Sequence, residues 1–493
     1  MELLKPERRM AFFWLFTSVF ILSALGCKKG SDTDGEQPPG TLTKSNITIE
    51  KSVKYQTIDG FGFFGACDVW WASGNLWNDS WGDLIIKDLG ITIWRNEWFP
   101  PSTPDVPQDA DWIKQKPVVQ ALKAKADQYG VDLKFIVSVW SPPADMKWLC
   151  DFSWAGDANA TRNQGSVSTK NGGTLDPGKY EEYAIWLDSC IRSYREAGVN
   201  LYALSLQNEP LFVEPYNSCT YTTQWYCDLL KNVVPAIKSN FPEIKIFGAE
   251  NMLEMEGKEN NYPWFYHQAI KNDTVAGKNI DILAVHGYSD GISPTSGSEL
   301  AKMWANHLQQ FSEPMNKSAW MTETSGYSEL WTSSGNTPGA LNLAMDIYSG
   351  LTYGNMKGWV WWQGSELSGI TNYSLMSNTT CRKKYYVSKH FYRYIRPGAI
   401  RVKALSDDPD VFAVAFEHAE KGTSTIILIN SGKEDKSVTI LGSDLPSLYT
   451  VYLTTSGKDV NCSESGTLKP GTGNSFKLPG LGIATLQAGG DPL

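Results

Sequence analysis

Short apolar segments alternate with amphipathic ones between residues 59 and 396 of this chain. The apolar segments are a few residues long and are bounded by Gly, Pro, Asn or Asp, which predicts β-strands. Eight strands are expected at Phe61–Ala66, Ile91–Arg95, Lys134–Val139, Tyr202–Gln207, Lys245–Ala249, Ile282–His286, Ala319–Glu323 and Gly358–Trp362. Helical patterns lie between or after them, for example at Gln108–Tyr129, Gly178–Ala197, Thr222–Ser239 and Tyr385–Ile395. Eight strand–helix units predict an α/β fold, a (β/α)8 TIM barrel over residues 59–396.

The pattern changes after Pro397, where the helical periodicity disappears. Short alternating segments follow at Val402–Ala404, Val411–Glu417, Thr425–Asn430, Ser437–Leu441, Tyr449–Thr454 and Ile483–Gln487. Gly, Asp, Ser or Pro separate them, which is typical of an all-β unit. Residues 397–493 are therefore expected to form a β-sandwich side domain appended to the barrel.

The N-terminal residues 1–26 have the layout of a secretory signal. Lys5, Arg8 and Arg9 precede an apolar run, and the run ends just before Cys27. The segment resembles a bacterial lipoprotein signal, in which the cysteine would carry lipid, although a single membrane anchor is the alternative. Residues 27–44 are rich in Gly, Pro, Ser, Asp and Thr and are expected to be a flexible linker. The predicted location is thus the bacterial cell surface or periplasm, on a membrane through a lipid anchor.

Composition narrows the classes of partner. The net charge is −9, the pI is near 5.3, and no basic cluster is present, which argues against nucleic acid. The 20 Trp and 22 Tyr suit a carbohydrate-binding protein, because aromatic faces stack on sugar rings, but they are also ordinary core residues. No histidine cluster or CxxC spacing indicates a metal site.

Eight cysteines include Cys27 and leave an odd number for the exported part of the chain. At least one free thiol is therefore expected. Cys219 and Cys227 flank a short loop and are candidates to pair.

Two predicted strands end in a glutamate. Glu209 follows Gln207 and Asn208 immediately before Pro210, and Glu323 ends the segment Ser318–Glu323. In a parallel barrel the C-terminal strand ends form one mouth, so these two carboxylates can meet there. Paired carboxylates are the apparatus of glycoside hydrolysis. A simple loop acid is the alternative for either residue alone.

Five short motifs stand at or near the ends of predicted elements. They are Asn208-Glu209-Pro210, Thr322-Glu323, Ile58-Asp-Gly-Phe-Gly62, Trp140-Ser-Pro-Pro143 and Phe391-Tyr-Arg-Tyr-Ile-Arg-Pro-Gly398. Together they resemble glycoside hydrolase family 30. The resemblance implies a retaining glycosidase that needs no metal or organic cofactor. Glu209 would be the general acid/base at the end of strand four, and Glu323 the nucleophile at the end of strand seven. It also implies that a strand at about Asn46–Tyr55, within residues 45–58, joins the β side domain.

Six further residues are expected to bind substrate or support the two glutamates. Asn208 would hydrogen-bond the sugar 2-hydroxyl, and a cap of the loop is its alternative role. Arg95 would orient Glu323 and keep it ionised, and a surface salt bridge is the alternative. His286 and Tyr288 are assigned to the site wall on the resemblance. Two aromatic residues at strand ends would form platforms under sugar rings. These are Trp140 and Trp362.

Other residues at strand ends rank lower. Glu97 and Glu250 are rival carboxylates, but neither lies in an Asn-Glu-Pro or Thr-Glu context. Trp359 and Trp361 are expected in the core, because alternate residues of a strand face opposite sides.

The substrate is less defined. The segment Lys179–Ala197 with the strand that follows it looks most like endo-acting xylanases, so β-1,4-xylan is the first expectation, and β-1,6-glucan or another β-glycoside is the alternative. The segment from Gln363 to Cys381 contains Glu366 and no Arg or Lys. It therefore favours neutral hydroxyls over an anionic branch, which predicts a xylanase that does not depend on glucuronic acid. A chain-end glycosidase and a non-catalytic carbohydrate-binding lipoprotein remain alternatives, and a monomer is expected.

Overall fold

The structure is a computed structural model that describes residues 42–65, 69, 77–101, 109–258, 265–288, 293, 295–367 and 369–493. The predicted signal, Cys27, nearly all of the linker and Cys67 lie outside these residues. Across the described ranges, no helix combines the length and the apolar character needed to cross a bilayer.

The first twelve strands include the eight strands of the barrel, a small three-stranded sheet and one strand of the side domain. They are β1 (Thr43–Thr57), β2 (Gly60–Phe64), β3 (Ile93–Glu97), β4 (Lys134–Ser138), β5 (Lys147–Asp151), β6 (Thr161–Asn163), β7 (Thr174–Leu175), β8 (Leu201–Ser205), β9 (Lys245–Met252), β10 (Ile282–Gly287), β11 (Ser318–Thr324) and β12 (Gly358–Trp362). Strands β2, β3, β4, β8, β9, β10, β11 and β12 close in that order into a parallel barrel. The predicted TIM barrel is confirmed, with each of the eight strands at its predicted place to within a few residues.

The remaining strands belong mainly to the side domain. They are β13 (Met376–Ser377), β14 (Thr380–Cys381), β15 (Ile400–Ser406), β16 (Val411–His418), β17 (Thr423–Asn430), β18 (Lys436–Gly442), β19 (Tyr449–Thr454), β20 (Asn461–Leu468), β21 (Phe476–Leu478) and β22 (Gly482–Ala488). The sequence pattern missed β20 and β21, because β20 carries five consecutive exposed residues and β21 is only 3 residues long.

Helices cover the outside of the barrel. They are α1 (Asp79–Asp83), α2 (Asp109–Gln128), α3 (Tyr180–Glu196), α4 (Thr223–Asn240), α5 (Leu253–Glu256), α6 (Tyr266–Asn272), α7 (Thr274–Asn279), α8 (Glu299–His307), α9 (Glu313–Met315), α10 (Ala340–Tyr353) and α11 (Lys383–Tyr392). Helix α4 begins after Thr222, whose hydroxyl accepts a hydrogen bond from the backbone of Trp225 at 3.2 Å. This cap supplies a partner for one of the free N–H groups in the first turn.

The side domain is a nine-stranded sheet with the order β20-β19-β22-β17-β16-β15-β1-β18-β21. Strand β1 pairs antiparallel with β15 and parallel with β18, as the family resemblance implied. Residues of one face, such as Ile426 and Leu428, form the domain's own core. Residues of the other face, such as Ile427 and Ile429, join the core shared with the barrel. Both faces of β17 are therefore buried.

Polar contacts also fasten the sheet to the barrel. The ring nitrogens of His390 on α11 lie 2.7 Å from the Thr485 hydroxyl and 2.8 Å from the Thr454 hydroxyl. Trp331 donates its indole N–H to the carbonyl of Leu481 at 2.5 Å. The two domains thus share both an apolar core and a buried polar seam.

The suggested pairing of Cys219 with Cys227 is wrong. Both thiols are free, as are the other four cysteines that the structure describes. Cys219 donates to the hydroxyl of Tyr221 at 3.5 Å, whereas Cys227 lies on α4 beside Asp273. The two side chains face different neighbours, although their loop is short.

Candidate active site

The barrel interior sets which side chains reach its mouth. One buried interior cluster contains Ile93, Ile136, Ala203, Ala284 and Val360, from five different strands. Side chains alternate along a strand, so the residue two positions later points to the same interior but nearer the C-terminal end. The residues at those positions are Arg95, Ser138, Ser205, His286 and Trp362.

Two strands depart from this simple alternation. On β9 the interior residue Phe247 is three positions before Glu250, and on β11 the interior residue Trp320 is three positions before Glu323. Both strands contain a register irregularity at this point: Ala249 and Asn251 pair with consecutive residues of β10, and so do Met321 and Glu323. An extra residue of this kind turns the following side chains to the other face. The irregularities therefore direct both glutamates into the mouth.

Glu209 lies four residues beyond the end of β8. The backbone N–H of Asn208 donates to the carbonyl of Val139 at 2.7 Å, which holds the turn against the end of β4. Glu209 itself has φ +44°, a left-handed conformation that is uncommon outside glycine. Its carboxylate Oε1 lies 2.8 Å from Nδ1 of His286, and its side chain is 13% exposed. The turn thus presents a largely buried carboxylate that remains open to the mouth.

Glu323 is held from two sides. Arg95 donates from Nη1 to its Oε2 at 2.5 Å, and the hydroxyl of Tyr288 donates to its Oε1. The same guanidinium donates from Nη2 to Oδ1 of Asn208 at 2.8 Å and to Oε1 of Glu250 at 2.9 Å. Arg95 is fully buried, so its planar fork fixes three neighbours that belong to three different strand ends.

The two glutamates are close. One oxygen of Glu209, one oxygen of Glu323 and a ring nitrogen of His286 all lie within 4.8 Å of one another. Carboxylates about 5–5.5 Å apart are the arrangement of glycosidases that act through a covalent intermediate, whereas a wider gap admits a water. The geometry therefore suits direct attack by a carboxylate.

The buried charges of the site shift the pKa values of Glu209, Glu250 and His286 in different directions. Burial raises the pKa of Glu209, and the hydrogen bond from His286 offsets this only in part. Burial opposes the charge on His286, but Glu323, Glu209 and Glu250 together raise its pKa to about 9. Burial likewise opposes ionisation of Glu250, but Arg95 and His286 outweigh it and lower the pKa of that carboxyl. Three carboxylates thus face two cations, and a proton on Glu209 makes the group neutral.

Aromatic rings line one side of the mouth. Trp362 is half-buried and stacks on Phe64 with ring centroids 4.3 Å apart. Trp140 is only 6% exposed, and its ring lies 4.9 Å from the guanidinium of Arg95. Trp362 is therefore the more accessible of the two predicted platforms, and Trp140 mainly covers the buried arginine. Trp359 and Trp361 are fully buried in the core, as predicted.

Glu209, His286 and Glu323 also form a possible set of metal donors. Both oxygens of Glu323 already accept hydrogen bonds from Arg95 and Tyr288, and the raised pKa of His286 keeps its ring protonated at neutral pH. A cation would have to displace that proton and approach the guanidinium. The donor set therefore fits proton transfer better than metal binding.

All eight predicted site residues meet at the mouth, and the structure adds several that the sequence argument ranked low or missed. Glu250 contacts Arg95 directly, and Ser138 donates to Glu250 at 2.9 Å. Tyr216, on the loop after β8, is 51% exposed and lies near Glu209. Ser138 could have been found from the strand pattern, because it follows Ile136 by two positions on the same strand. No local pattern distinguished Tyr216.

The rival carboxylate Glu97 faces a different environment. It is buried beside Asn217, which donates to it at 3.2 Å. Burial raises the pKa of Glu97 well above its ordinary value, and the hydrogen bond from Asn217 lowers it only in part.

Comparison with known proteins agrees with this geometry. Residues 109–368 match the Glycosyl hydrolase family 30 TIM-barrel domain, which is more than half of the chain. The chain belongs to glycosyl hydrolase family 30. It is 25% identical over 472 residues to "Glucuronoxylanase XynC" of Bacillus subtilis (strain 168), covering 90% of this chain and 92% of that protein.

Other members of family 30 carry different names. The chain is 24% identical to "Endo-1,6-beta-D-glucanase neg1" of Aspergillus fumigatus, over 63% of this chain and 61% of that protein. A solved GH30 endoxylanase from Clostridium papyrosolvens C71 superposes with a TM-score of 0.68 at 21% identity, covering 90% of this chain and 100% of that one. The family 30 chain is thus a glycoside hydrolase, and these similarities leave its linkage specificity open.

Proposed function

We propose that the protein is a retaining glycosidase in which Glu209 is the general acid/base and Glu323 is the nucleophile. The observation that carries this proposal is the pair of carboxylates, with oxygens within 4.8 Å of each other, in unlike environments. Glu209 has a raised pKa, whereas Glu323 accepts hydrogen bonds from Arg95 and Tyr288. One group is suited to hold a proton and the other to attack as an anion.

In the first step Glu209 gives its proton to the leaving glycosidic oxygen while Glu323 attacks the anomeric carbon. The C–O bond to the leaving group breaks, and an ester bond to Glu323 forms. Arg95 and Tyr288 hold the attacking carboxylate in place during this step. His286 stays charged and balances the negative charge that Glu209 acquires.

In the second step the ester removes one negative charge from the site. Without the repulsion from Glu323, the pKa of Glu209 falls, and Glu209 becomes a base. It takes a proton from water as the water attacks the anomeric carbon and releases Glu323. The product keeps the configuration of the substrate.

Asn208 provides a donor beside the reacting centre. Its Oδ1 accepts from Arg95, so the amide is fixed with its NH₂ group directed away from that contact. This NH₂ would donate to the sugar 2-hydroxyl, a contact that strengthens as the ring flattens. The exposed face of Trp362 would carry a neighbouring ring.

The substrate we propose is β-1,4-xylan, cleaved internally and without a requirement for glucuronic acid. The loop after β12 supports this through its charge. Glu366 on that loop accepts from Gln363 at 3.1 Å. Lys384 of α11 is fully buried and donates to the carbonyl of Thr371 on that loop at 2.5 Å. Within the described part of this loop no Arg or Lys reaches the mouth to pair with a uronate.

Two assays test the assignment of the glutamates. Glu323→Ala should lose nearly all activity, and azide added to it should give a product of inverted configuration, because azide occupies the space of the missing nucleophile. Azide added to Glu209→Ala should instead give a retained product, because it attacks the ester from the other face. Substantial activity in Glu323→Ala without azide would refute the assignment, and binding of glycans without any hydrolysis would favour the non-catalytic alternative.

The substrate is tested by a screen on xylan, glucuronoxylan, β-1,6-glucan and β-1,6-galactan. Xylan should be cleaved to oligosaccharides at a rate that does not change when the uronic acids of glucuronoxylan are reduced to alcohols. A large loss of rate on the reduced polymer would contradict independence from glucuronic acid. Cleavage of β-1,6-glucan alone would identify the second candidate linkage.

We also propose that lipid on Cys27 holds the enzyme at a bacterial membrane. The residues that support this are the basic and apolar segment before Cys27 and the polar linker after it. Stable anchoring requires about two acyl chains, which a lipoprotein cysteine carries. Cys27→Ser should release the protein from the membrane fraction of fractionated cells, and unchanged membrane association would rule out the anchor.

A further inference from the structure

Glu250 is a fully buried carboxylate near the C-terminal end of β9, and the catalytic steps described above do not use it. It has φ +57° and lies at the register irregularity between β9 and β10. A buried ionised carboxylate is costly unless several donors compensate it. Both the backbone conformation and the burial are therefore costs that the fold accepts at this position.

The donors around Glu250 come from the C-terminal ends of three other barrel strands, β3, β4 and β10. Its Oε1 accepts from Nη2 of Arg95 at 2.9 Å and from the hydroxyl of Ser138 at 2.9 Å. The same oxygen lies 3.5 Å from Nε2 of His286. Ser138 in turn accepts from Nε of Arg95 at 3.1 Å, which closes a three-membered set of contacts.

These contacts connect the two catalytic glutamates. Arg95, which Glu250 holds on one side, donates to Glu323. His286, which Glu250 faces on the other side, contacts Glu209 through its second nitrogen. The contacts run from Glu323 through Arg95, Glu250 and His286 to Glu209 and are entirely inside the protein except at the two ends.

We propose that Glu250 is a positioning residue that holds Glu323 through Arg95 and Glu209 through His286, so that a single buried anion fixes both catalytic carboxylates. This inference rests on the proposed roles of Glu209 and Glu323. The geometry supports it because each cation has one contact to Glu250 and one to a catalytic glutamate. Without the charge of Glu250, Arg95 would be free to move toward Glu323, and His286 toward Glu209.

Glu250 also sets the charge of the group. The titratable and polar groups that face it are Arg95 from β3, Ser138 from β4, Ser205 from β8, His286 from β10 and Tyr226 from α4. A neutral residue at this position removes one of three negative charges while both cations remain. Glu209 and His286 are hydrogen-bonded to each other, so their two deprotonation steps belong to the pair. Loss of the negative charge at position 250 moves each step to lower pH.

The test is Glu250→Gln, which keeps the size of the side chain and removes its charge. The alkaline limb of the kcat/KM profile on β-1,4-xylan, or on β-1,6-glucan if the screen selects it, should move down by about one pH unit or more. At the optimum, kcat/KM should fall by about 10–100-fold, because both glutamates lose their fixed placement. NMR of labelled histidines gives a second readout: the ring of His286, whose pKa its carboxylate neighbours raise to about 9, should titrate at lower pH.

Glu97→Gln is the matched control, since Glu97 is a buried glutamate at the end of another barrel strand, β3, and its hydrogen bond comes from Asn217. Its pH limb and its histidine signals should match those of the wild type. An unshifted limb and an unshifted histidine in Glu250→Gln would overturn the proposal. If Glu250→Gln fails to fold, Glu250→Asp takes its place, because it keeps the charge on a side chain that is one methylene shorter. Its kcat/KM should fall while the alkaline limb of the pH profile stays at the wild-type pH. A wild-type kcat/KM in Glu250→Asp would overturn the proposal.

Glu209→Gln and Glu323→Gln are measured in the same assay to separate the two levels of inference. If both abolish turnover while Glu250→Gln behaves like the wild type, only the positioning role fails. If either retains most of its activity, the proposed catalytic pair fails first.

Discussion

Replacing Arg95 by methionine probes the electrostatic balance of the site. Methionine has a similar reach but no charge and no donor, so the change leaves Glu250 and Glu323 buried opposite one cation instead of two. The side-chain exposures of Arg95, Glu250 and Glu323 are 0%, 0% and 8%, so solvent gives almost no compensation. Loss of one partner of a buried ion pair costs about 3–5 kcal/mol.

That free energy converts into a modest change of melting temperature. Unfolding entropy is about 2.1 cal/mol/K per residue, or about 1 kcal/mol/K for a cooperatively unfolding chain of 493 residues. Arg95→Met should therefore lower Tm by about 3–5 °C in calorimetry at pH 7. Activity should fall far more than this change in stability implies, because Glu323 and Asn208 both lose the group that orients them.

The double variant Arg95→Met with Glu250→Gln makes the reasoning refutable. It removes one anion together with one cation, so the remaining charges balance as in the wild type. The double variant should be more stable than Arg95→Met alone, because one buried carboxylate instead of two has lost its guanidinium partner. A double variant that is equally or less stable would show that the charge balance does not control the stability of this site.

Two further predictions use other buried residues. Burial raises the pKa of Asp346 to about 7, with Tyr327 donating to it at 2.6 Å, so the folded protein loses stability as pH rises from about 4 through 7. In denaturant titrations at pH 8, Asp346→Asn should be more stable than the wild type by up to about 4 kcal/mol. At pH 4 the two proteins should be equally stable. A gain in stability at both pH values would contradict this prediction. Trp362→Ala should raise KM for the polymer with little loss of Tm. The neighbouring change Trp361→Ala empties a fully buried position and should cost about 3–5 kcal/mol of stability. Equal effects of the two variants on Tm would refute the assignment of Trp362 to the mouth.

Local sequence pattern determined the barrel because its strands are short apolar runs between helical segments, and that information lies within about ten neighbouring residues. The ends of the predicted strands placed Arg95 and Trp362 at the mouth, whereas the family resemblance assigned His286 to the site wall. In the structure each of the three follows a buried interior residue by two positions. Strand β20 escaped prediction because its exposed polar residues carry no apolar alternation. The pairing suggested for Cys219 and Cys227 failed because closeness along the chain does not decide where side chains point.

Only the tertiary structure decided the arrangement inside the mouth. Glu250 and Glu323 each lie an odd number of residues from the interior layer, and an ideal strand would turn both away from the site. Register shifts between neighbouring strands return them, and such shifts depend on pairing partners far away in sequence. The charge that Glu209 and His286 carry likewise depends on groups from other strands, because electrostatic effects in a buried site follow distance in space and not position along the chain.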